Sequence, residues 1–518
     1  VLGIDFGTES CRVAVFTADG APVAFAATGY PTSFPAAGWA EQQPADWWHA
    51  LTVSTRQVMA QSGVAPGDIA GIGYAATSQT MVALDRAGEP LRPAIMWMDV
   101  RAAAQAGRAS TPQARQALGR MADNVPGSAE MFPFKAAWLK ENEPGLYQRT
   151  TTLLDAPDWL GYRLTGELRV NENSASVKMY YSRAGRGFPA EFYDIIGCGD
   201  ALDKVPAVVQ PLGTVLGGLS PQAASELGLR PGTPVAQGCI DAYAGQIGLG
   251  VLSPGRMALI TGSSHALIGQ APAALAGTGL TGAFMDAVTV GECTVEAAVV
   301  SSGSAIRWFR DNFCKDLVRE ADASGSSAYD MLNRSARDIP PGSDGLIVVP
   351  YFQGSRNPSA DSRARGVVWG LSLHHSETHL YHAIQEGICY GVAHNLRNLA
   401  SHGYEVDELV ACGGALKSTD WIQMHADITG KPITLTKVTD AVSLGSCIMA
   451  AVAAELYPSV AHAAAAMVHV KETYQPDPER NAEYERYLHT YMETYPRLRE
   501  LQHALAAPAP FADLQRVT

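Results

Sequence analysis

A chain of 518 residues with 47% hydrophobic and 17% charged positions exceeds one ordinary domain and has ample material for two large ones. Its 38 lysines and arginines against 51 acidic residues leave a formal net charge of −13, which argues against nucleic acid or an anionic membrane as partner and favours a small molecule. Eight scattered cysteines without a CxxC read as reduced thiols, and the absence of a basic-then-apolar leader or a span-length apolar run points to a cytoplasmic protein, although a start at Val1 leaves a trimmed leader open.

In chain order, VLGIDFGTESCRVAVFTADG predicts a strand over Val1–Asp5, a Gly/Thr/Ser loop over Phe6–Ser10, a second strand over Arg12–Phe16 and a turn at Asp19-Gly20. Such a loop presents backbone N–H groups and hydroxyls, as phosphate oxygens require, and Asp5 at the strand end could hold a hydrated Mg2+. A plain hairpin fits the same residues. GWAEQQPADWW, Gly38–Trp48, leads into a helix. Gly71–Ala76 matches GxGxxA, yet a β-like TSQTMVALD follows and no acid closes a βαβ unit, so dinucleotide binding is set aside. In LRPAIMWMDVRAAAQA, Trp97, Asp99 and Arg101 alternate before an Ala-rich helix, which predicts an aromatic, an acid and a base on one side of a strand end. That surface suits a polyhydroxylated ligand, with a structural ion pair as the competing reading. Glu130 and Lys135 precede another helix, and Trp159, Leu160 and Leu164 at helical spacing predict core.

The middle of the chain carries GCIDAYAGQIG, Gly238–Gly248, in which Asp241 is a lone carboxylate among glycines and apolar residues. From these residues alone it is either a site acid approached closely by a ligand or a solvated turn residue. MALITGSSHALIGQ, Met257–Gln270, then repeats the strand, Gly/Ser loop, strand order of the N-terminus, which predicts a duplicated fold with a ligand between its halves. Gly262–Ala266 also approaches a nucleophile elbow, but Ala266 replaces the last glycine and a strand follows it, which counts against a serine hydrolase. His375, His379 and His382 could form a metal-binding helix face, yet Ser376 as the N-cap of an amphipathic helix explains the segment better. LVACGGALKSTDWIQMHADITGKPI predicts strand, Gly-Gly turn, helix from Ser418 to about Ile428, and strand, a nucleotide-cradling geometry without a GxxxxGK[ST] loop. A small-residue helix runs from Leu444 to Leu456, and a charged, Tyr-rich surface tail follows Glu472.

Taken together, six strings in order resemble the FGGY carbohydrate kinase family, over nearly the whole chain to Leu456: GIDFGTES, GWAEQQPADWW, LLDAPDWLGYRLTGE, GCIDAYAGQIG, ITGSS and CGGALKSTDWIQMHADITGKPI. The resemblance implies an α/β fold of two ribonuclease-H-like domains, of the actin and sugar-kinase type, with ATP and sugar meeting in the interdomain cleft. The expected division is 1–246 for sugar and phosphate, 247–460 for ATP, and 461–518 as a helical tail. It further implies Asp241 as the general base on the sugar hydroxyl and Asp5 as the Mg2+-associated acid. Gly7, Thr8, Ser10 and Arg12 would clamp phosphates from one side and Thr261, Gly262 and Ser263 from the other, while Gly413, Gly414, Ala415 and Lys417 would lie against adenosine. Gln79, Trp97, Asp99, Arg101, Glu130 and Lys135 fall where the family binds sugar. Two departures are Ser263, where many members have Thr, and Gln385, which replaces an aliphatic residue.

The implied activity is ATP-dependent phosphorylation of a small carbohydrate. WMDVRA with Glu130 and Lys135, and YFQGSRNP with ARGVVWGLSL, resemble the ribulokinase-like branch, which favours a ketopentose such as ribulose. Xylulose, ribitol, erythritol and glycerol stay open, as does a non-catalytic ATP-driven binding protein on the same fold. A homodimer is compatible with all of these.

Overall fold

The computed structural model describes residues 1–506 apart from 120, 122–126, 186, 272, 274 and 276–279. Two mixed sheets of seven strands dominate it, and the hairpin repeat seen in the sequence is where the two coincide. In the first sheet β1 (Leu2–Phe6), β2 (Ser10–Phe16) and β3 (Pro22–Gly29) form an antiparallel meander. On the other side of β1 lie β4 (Ile72–Ala76), parallel to β1, and then β5 (Pro234–Ala236), parallel to β4. The second sheet repeats this with β6 (Arg256–Thr261), β7 (His265–Ala271) and β8 (Cys293–Val299) as meander, and β9 (Glu408–Gly413) and β10 (Ile433–Thr436) added in parallel to β6. The strand order 3-2-1-4-5 therefore recurs as 8-7-6-9-10, the duplicated ribonuclease-H-like arrangement expected. GxGxxA is strand β4 and opens no helix, so the dinucleotide fingerprint fails on structure too.

Local sequence explains the first crossover. Pro44 opens α1 (Pro44–Ser62), where a missing N–H costs nothing, and Asp46 favours the positive end of its dipole; Gly63 closes it with an N–H to Met59 O at 3.2 Å. Trp47, Leu51 and Val58 are buried on one side, and each large apolar side chain so placed contributes about 1.5–3 kcal/mol.

Asp241 begins α2 (Asp241–Gly248), so a break at 246/247 would cut a helix; the second sheet starts at Arg256. Helix α3 (Ala441–Ala453) lies within the segment expected to belong wholly to the second domain, yet its Leu444, Cys447 and Ile448 share a core with Ala14, Ala75 and Ala236 of the first sheet. The expected tail is also not a separate surface helix: Val470–Tyr474 pairs antiparallel with β10, and Tyr484, Leu488 and Tyr491 of α4 (Pro478–Ala506) enter the second core. Residues 507–518 of that tail lie outside the described residues.

Candidate active site

Asp241 owes its position to glycine contacts between helices. A Cβ at Gly248 would sit 1.8 Å from Ala441 O, and one at Gly445 would sit 1.8 Å from Ala244 O, so α2 and α3 cross backbone to backbone. Gly248 thus makes room for α3, and a Cβ at Gly245 would meet only Ile260 and Val442. The crossing fixes the N-terminus of α2 at the mouth between the two sheets. Asp241 is its first residue, and its Oδ1 accepts the Ala242 N–H at 2.7 Å. Desolvation, opposed by that amide and by Arg12, pushes the carboxyl up to about 6.

A cleft of about 420 Å³ opens at this point and is lined from both halves, by Thr8, Ser78, Gln79, Trp97, Glu130, Lys178 and Asp241 on one side and by Ser264, Glu296 and Arg356 on the other. Its polar groups are arranged but not all used. Gln79 Oε1 accepts the Phe132 N–H at 2.6 Å, whereas Gln79 Nε2 and Ser78 Oγ, both buried, have no hydrogen-bond partner among the described residues. Buried donors without partners are rare in folded chains and fit a polar ligand. Trp97 Nε1 donates to Thr8 Oγ1 at 3.2 Å and so ties the aromatic to the first loop.

That loop is closed by the Gly7 N–H on Ser10 O at 3.0 Å. Beneath it, Asp5 is fully buried; it pairs with Arg12, whose guanidinium also lies 3.7 Å from Asp440. Apart from the Arg12 guanidinium, no donor among the described residues reaches either Asp5 oxygen, and desolvation raises the group to about 8 against the pull of Arg12, with Asp241 and Asp440 adding to the rise. A buried carboxylate held only by a part-exposed guanidinium, with further acids close enough to raise it, is a donor set that suits a hard divalent cation.

In the second half the loop after β6 meets the turn after β9, because Thr261 and Gly413 are register partners on parallel strands. Gly413 has φ +103 and its Cβ would lie 2.0 Å from Thr261 O, so only glycine fits there. The Thr261 hydroxyl donates to Cys412 O at 2.8 Å and accepts from the Ala415 N–H at 3.1 Å. Its side chain thus joins the two loops. Gly262 and Ser263 remain at the exposed rim, their carbonyls accepting the N–H groups of Gly303 and Ser304 at 3.1 Å. Gly414 and Lys417 are exposed on the adjoining turn, and Ala415 is buried beneath it.

Three expected sugar-binding residues do not reach the cleft. The strand before WMDVRA ends at Ile95, so the alternation of Trp97, Asp99 and Arg101 describes a turn rather than one strand face. Asp99 and Arg101 are fully buried and paired through two hydrogen bonds of 2.9 and 2.7 Å, with Arg101 stacked 3.8 Å over Trp39 and 2.8 Å from Glu41. This is the structural ion pair, and it holds the 97–101 turn to the Trp39–Gln42 segment. Lys135, also fully buried, donates to Gln79 O and Met96 O at 2.6 Å each, and desolvation lowers its ammonium to about 7. It holds the loops that carry Gln79 and Trp97. Lys135→Met should leave two carbonyls unpartnered, lower the unfolding free energy by about 2–4 kcal/mol, and raise the KM for sugar more than that for ATP. Calorimetry and steady-state kinetics would check both, and an unchanged sugar KM would end this positioning role.

Sequence reasoning did not single out Lys178, Glu296 or Arg356. Glu296 Oε1 accepts the Tyr243 hydroxyl at 2.5 Å, and Arg356 faces Glu130 across the cleft at 4.0 Å. Only the SRNP string around Arg356 offered a local signal.

The N-terminal domain model of the FGGY family of carbohydrate kinases matches residues 1–248, and the C-terminal domain model of the same family matches residues 257–454. A ribulokinase of Geobacillus thermodenitrificans (strain NG80-2) is 30% identical over 535 aligned positions, covering 95% of this chain and 93% of its own length. The FGGY carbohydrate kinase domain-containing protein of Homo sapiens is 30% identical over 514 positions, covering 92% of each chain. Among solved structures, xylulose kinase from Rhodospirillum rubrum superposes with a TM-score of 0.82 at 27% identity, over 97% of this chain and 99% of that one.

Proposed function

Because the chain belongs to the FGGY family of carbohydrate kinases and is a sugar kinase with ATP as donor, we propose that its acceptor is a ketopentose such as ribulose, with Asp241 as the base. The observation that carries this reading is the cleft itself: Asp241 shares it with a flat indole, Trp97, an unpartnered amide donor, Gln79 Nε2, and two further acids, Glu130 and Glu296. An indole face and amide and carboxylate edges are what the C–H face and hydroxyls of a small sugar need. The relatives named ribulokinase support ribulose as the acceptor.

In this reading the sugar hydroxyl donates to the Asp241 oxygen not engaged by Ala242. A carboxylate is a weak base for an alcohol, but its proton is taken late, once the oxygen has begun to bond to phosphorus and has become acidic. Positioning and charge neutralisation carry the remainder. Thr8, fixed by Trp97, and the backbone N–H groups of Thr8, Glu9 and Ser263 would face the phosphates, Arg12 adds a cation, and the Gly413–Lys417 turn takes the adenosine. Asp5 would hold Mg2+, which neutralises phosphate charge when bound. Closure of the two halves, with Arg356 approaching Glu130, would exclude water and suppress ATP hydrolysis. Eight buried, unpaired cysteines are consistent with a cytoplasmic setting.

A coupled assay over ketopentoses, aldoses and polyols tests the substrate. The highest kcat/KM is expected on ribulose, with xylulose the nearest competitor. Glu130→Ala should raise the sugar KM about tenfold, the scale of one lost polar contact to a bound ligand. ATP turnover indifferent to every sugar offered would overturn the proposal.

A further inference from the structure

Outside the cleft, the structure gathers metal-binding side chains that phosphoryl transfer does not use. The histidine face that the sequence raised as the weaker reading is divided: His382 is buried with its Nδ1 2.8 Å from the Ser343 hydroxyl, and His375 Nδ1 accepts the Ser372 N–H at 2.9 Å. In their place His374 joins His379. Each has its Nε2 3.3 Å from Asp344 Oδ2, and the three donor atoms all lie within 4.8 Å of one another. Donor atoms on a tetrahedral ion bound at about 2.0–2.1 Å are about 3.3–3.4 Å apart, so two edges of such a site already have its length.

We propose that Asp344, His374 and His379 form a binding site for a zinc-like divalent transition ion. The supports behind the donors favour it. Asp344 sits in a turn with positive φ at Ser343 and Asp344, +49 and +54, which the buried Glu386 holds by accepting the Gly342 N–H at 2.7 Å and the Ser343 hydroxyl at 2.8 Å. His379 Nδ1 accepts the Ser376 N–H at 3.2 Å and lies 2.9 Å from the Ser376 hydroxyl, so an ion at Nε2 would exchange that amide for an Nδ1–H donating to the hydroxyl, the kind of partner a ligating histidine uses. With side-chain exposures of 70% for His374, 38% for Asp344 and 12% for His379, the fourth vertex faces water. Two imidazoles and one carboxylate suit Zn2+ and its neighbours, whereas Mg2+ prefers an all-oxygen octahedron. The ion would tie the turn before strand Ile347–Val349 to the start of the 25-residue helix Glu377–Ser401 and brace the second half without entering the cleft.

The test uses the full chain, without a polyhistidine tag, stripped with chelator and titrated with Zn2+ by calorimetry and by competition with a chromogenic chelator. One ion per chain and a raised unfolding midpoint are expected. Asp344→Asn, His379→Gln and the exposed His374→Gln should each weaken Zn2+ by about tenfold or more and remove the shift in midpoint, with kcat in Mg2+ unchanged. Asp5→Asn should leave Zn2+ uptake at this site intact. Zn2+ uptake indistinguishable between the wild type and the Asp344→Asn/His379→Gln double variant would overturn the site.

Discussion

Asp241→Asn should lower kcat by about 10²- to 10⁴-fold, the range of a positioned general base, while the KM for ATP stays within about twofold. The substitution is isosteric, and the amide can still accept the Ala242 N–H that fixes Oδ1, so α2 and its crossing with α3 should survive. What is removed is an acceptor for the sugar proton. The wild-type rate should carry the same signature. A base raised to about 6 is ionised above that value and protonated below it, so kcat should fall about tenfold per pH unit on the acid side of 6 and flatten above it. A variant that loses ATP affinity along with kcat would move Asp241 to the nucleotide site. A pH profile flat down to 5 would remove it as the base.

The parts of this molecule legible in sequence were those whose chemistry is local. Strand, Gly/Ser loop, strand occurs within a few residues at Leu2–Phe16 and again at Arg256–Ala271, so the duplication could be read without coordinates. Asp99 and Arg101 were misplaced because alternation implies one face only while the chain is extended, and the strand stops at Ile95. The glycines of the central stretch were read as space for a ligand. Their partner is α3, almost 200 residues further on, and no local pattern announces a contact of that separation. Glu296 and Arg356 escaped for the same reason: each is an ordinary charged residue until the second sheet brings it opposite the first. The metal cluster was half legible. Helical spacing singled out His379, but its partners Asp344 and His374 lie off the helix and are joined to it by a turn that only tertiary packing holds.

Asp5→Asn should separate activity from stability most sharply. Activity should fall by about 10³-fold or more, since the carboxylate assigned to Mg2+ is gone and phosphoryl transfer depends above all on neutralising the phosphate charge. Stability should move the other way. Asp5 is fully buried with no donor but the Arg12 guanidinium among the described residues, and desolvation raises it from its ordinary 3.8 to about 8 even with Arg12 beside it. A folded-state value above the unfolded one favours the protonated form. Its contribution to stability is therefore fully present below about 3.8 and is lost as pH rises through about 8, where the fold must hold a buried negative charge. The neutral amide avoids that charge. Arg12, 42% exposed, can turn to water and Asp440. In metal-free buffer at pH 8 the variant should unfold at a free energy higher by at least about 1 kcal/mol, with a smaller gain at pH 6. Added Mg2+ should then stabilise the wild type and leave the variant unmoved, because a cation opposite Asp5 offsets the charge that the amide lacks. A variant less stable than wild type at pH 8 would mean that the Arg12 pair outweighs the desolvation and that Asp5 belongs to the scaffold rather than to the cation.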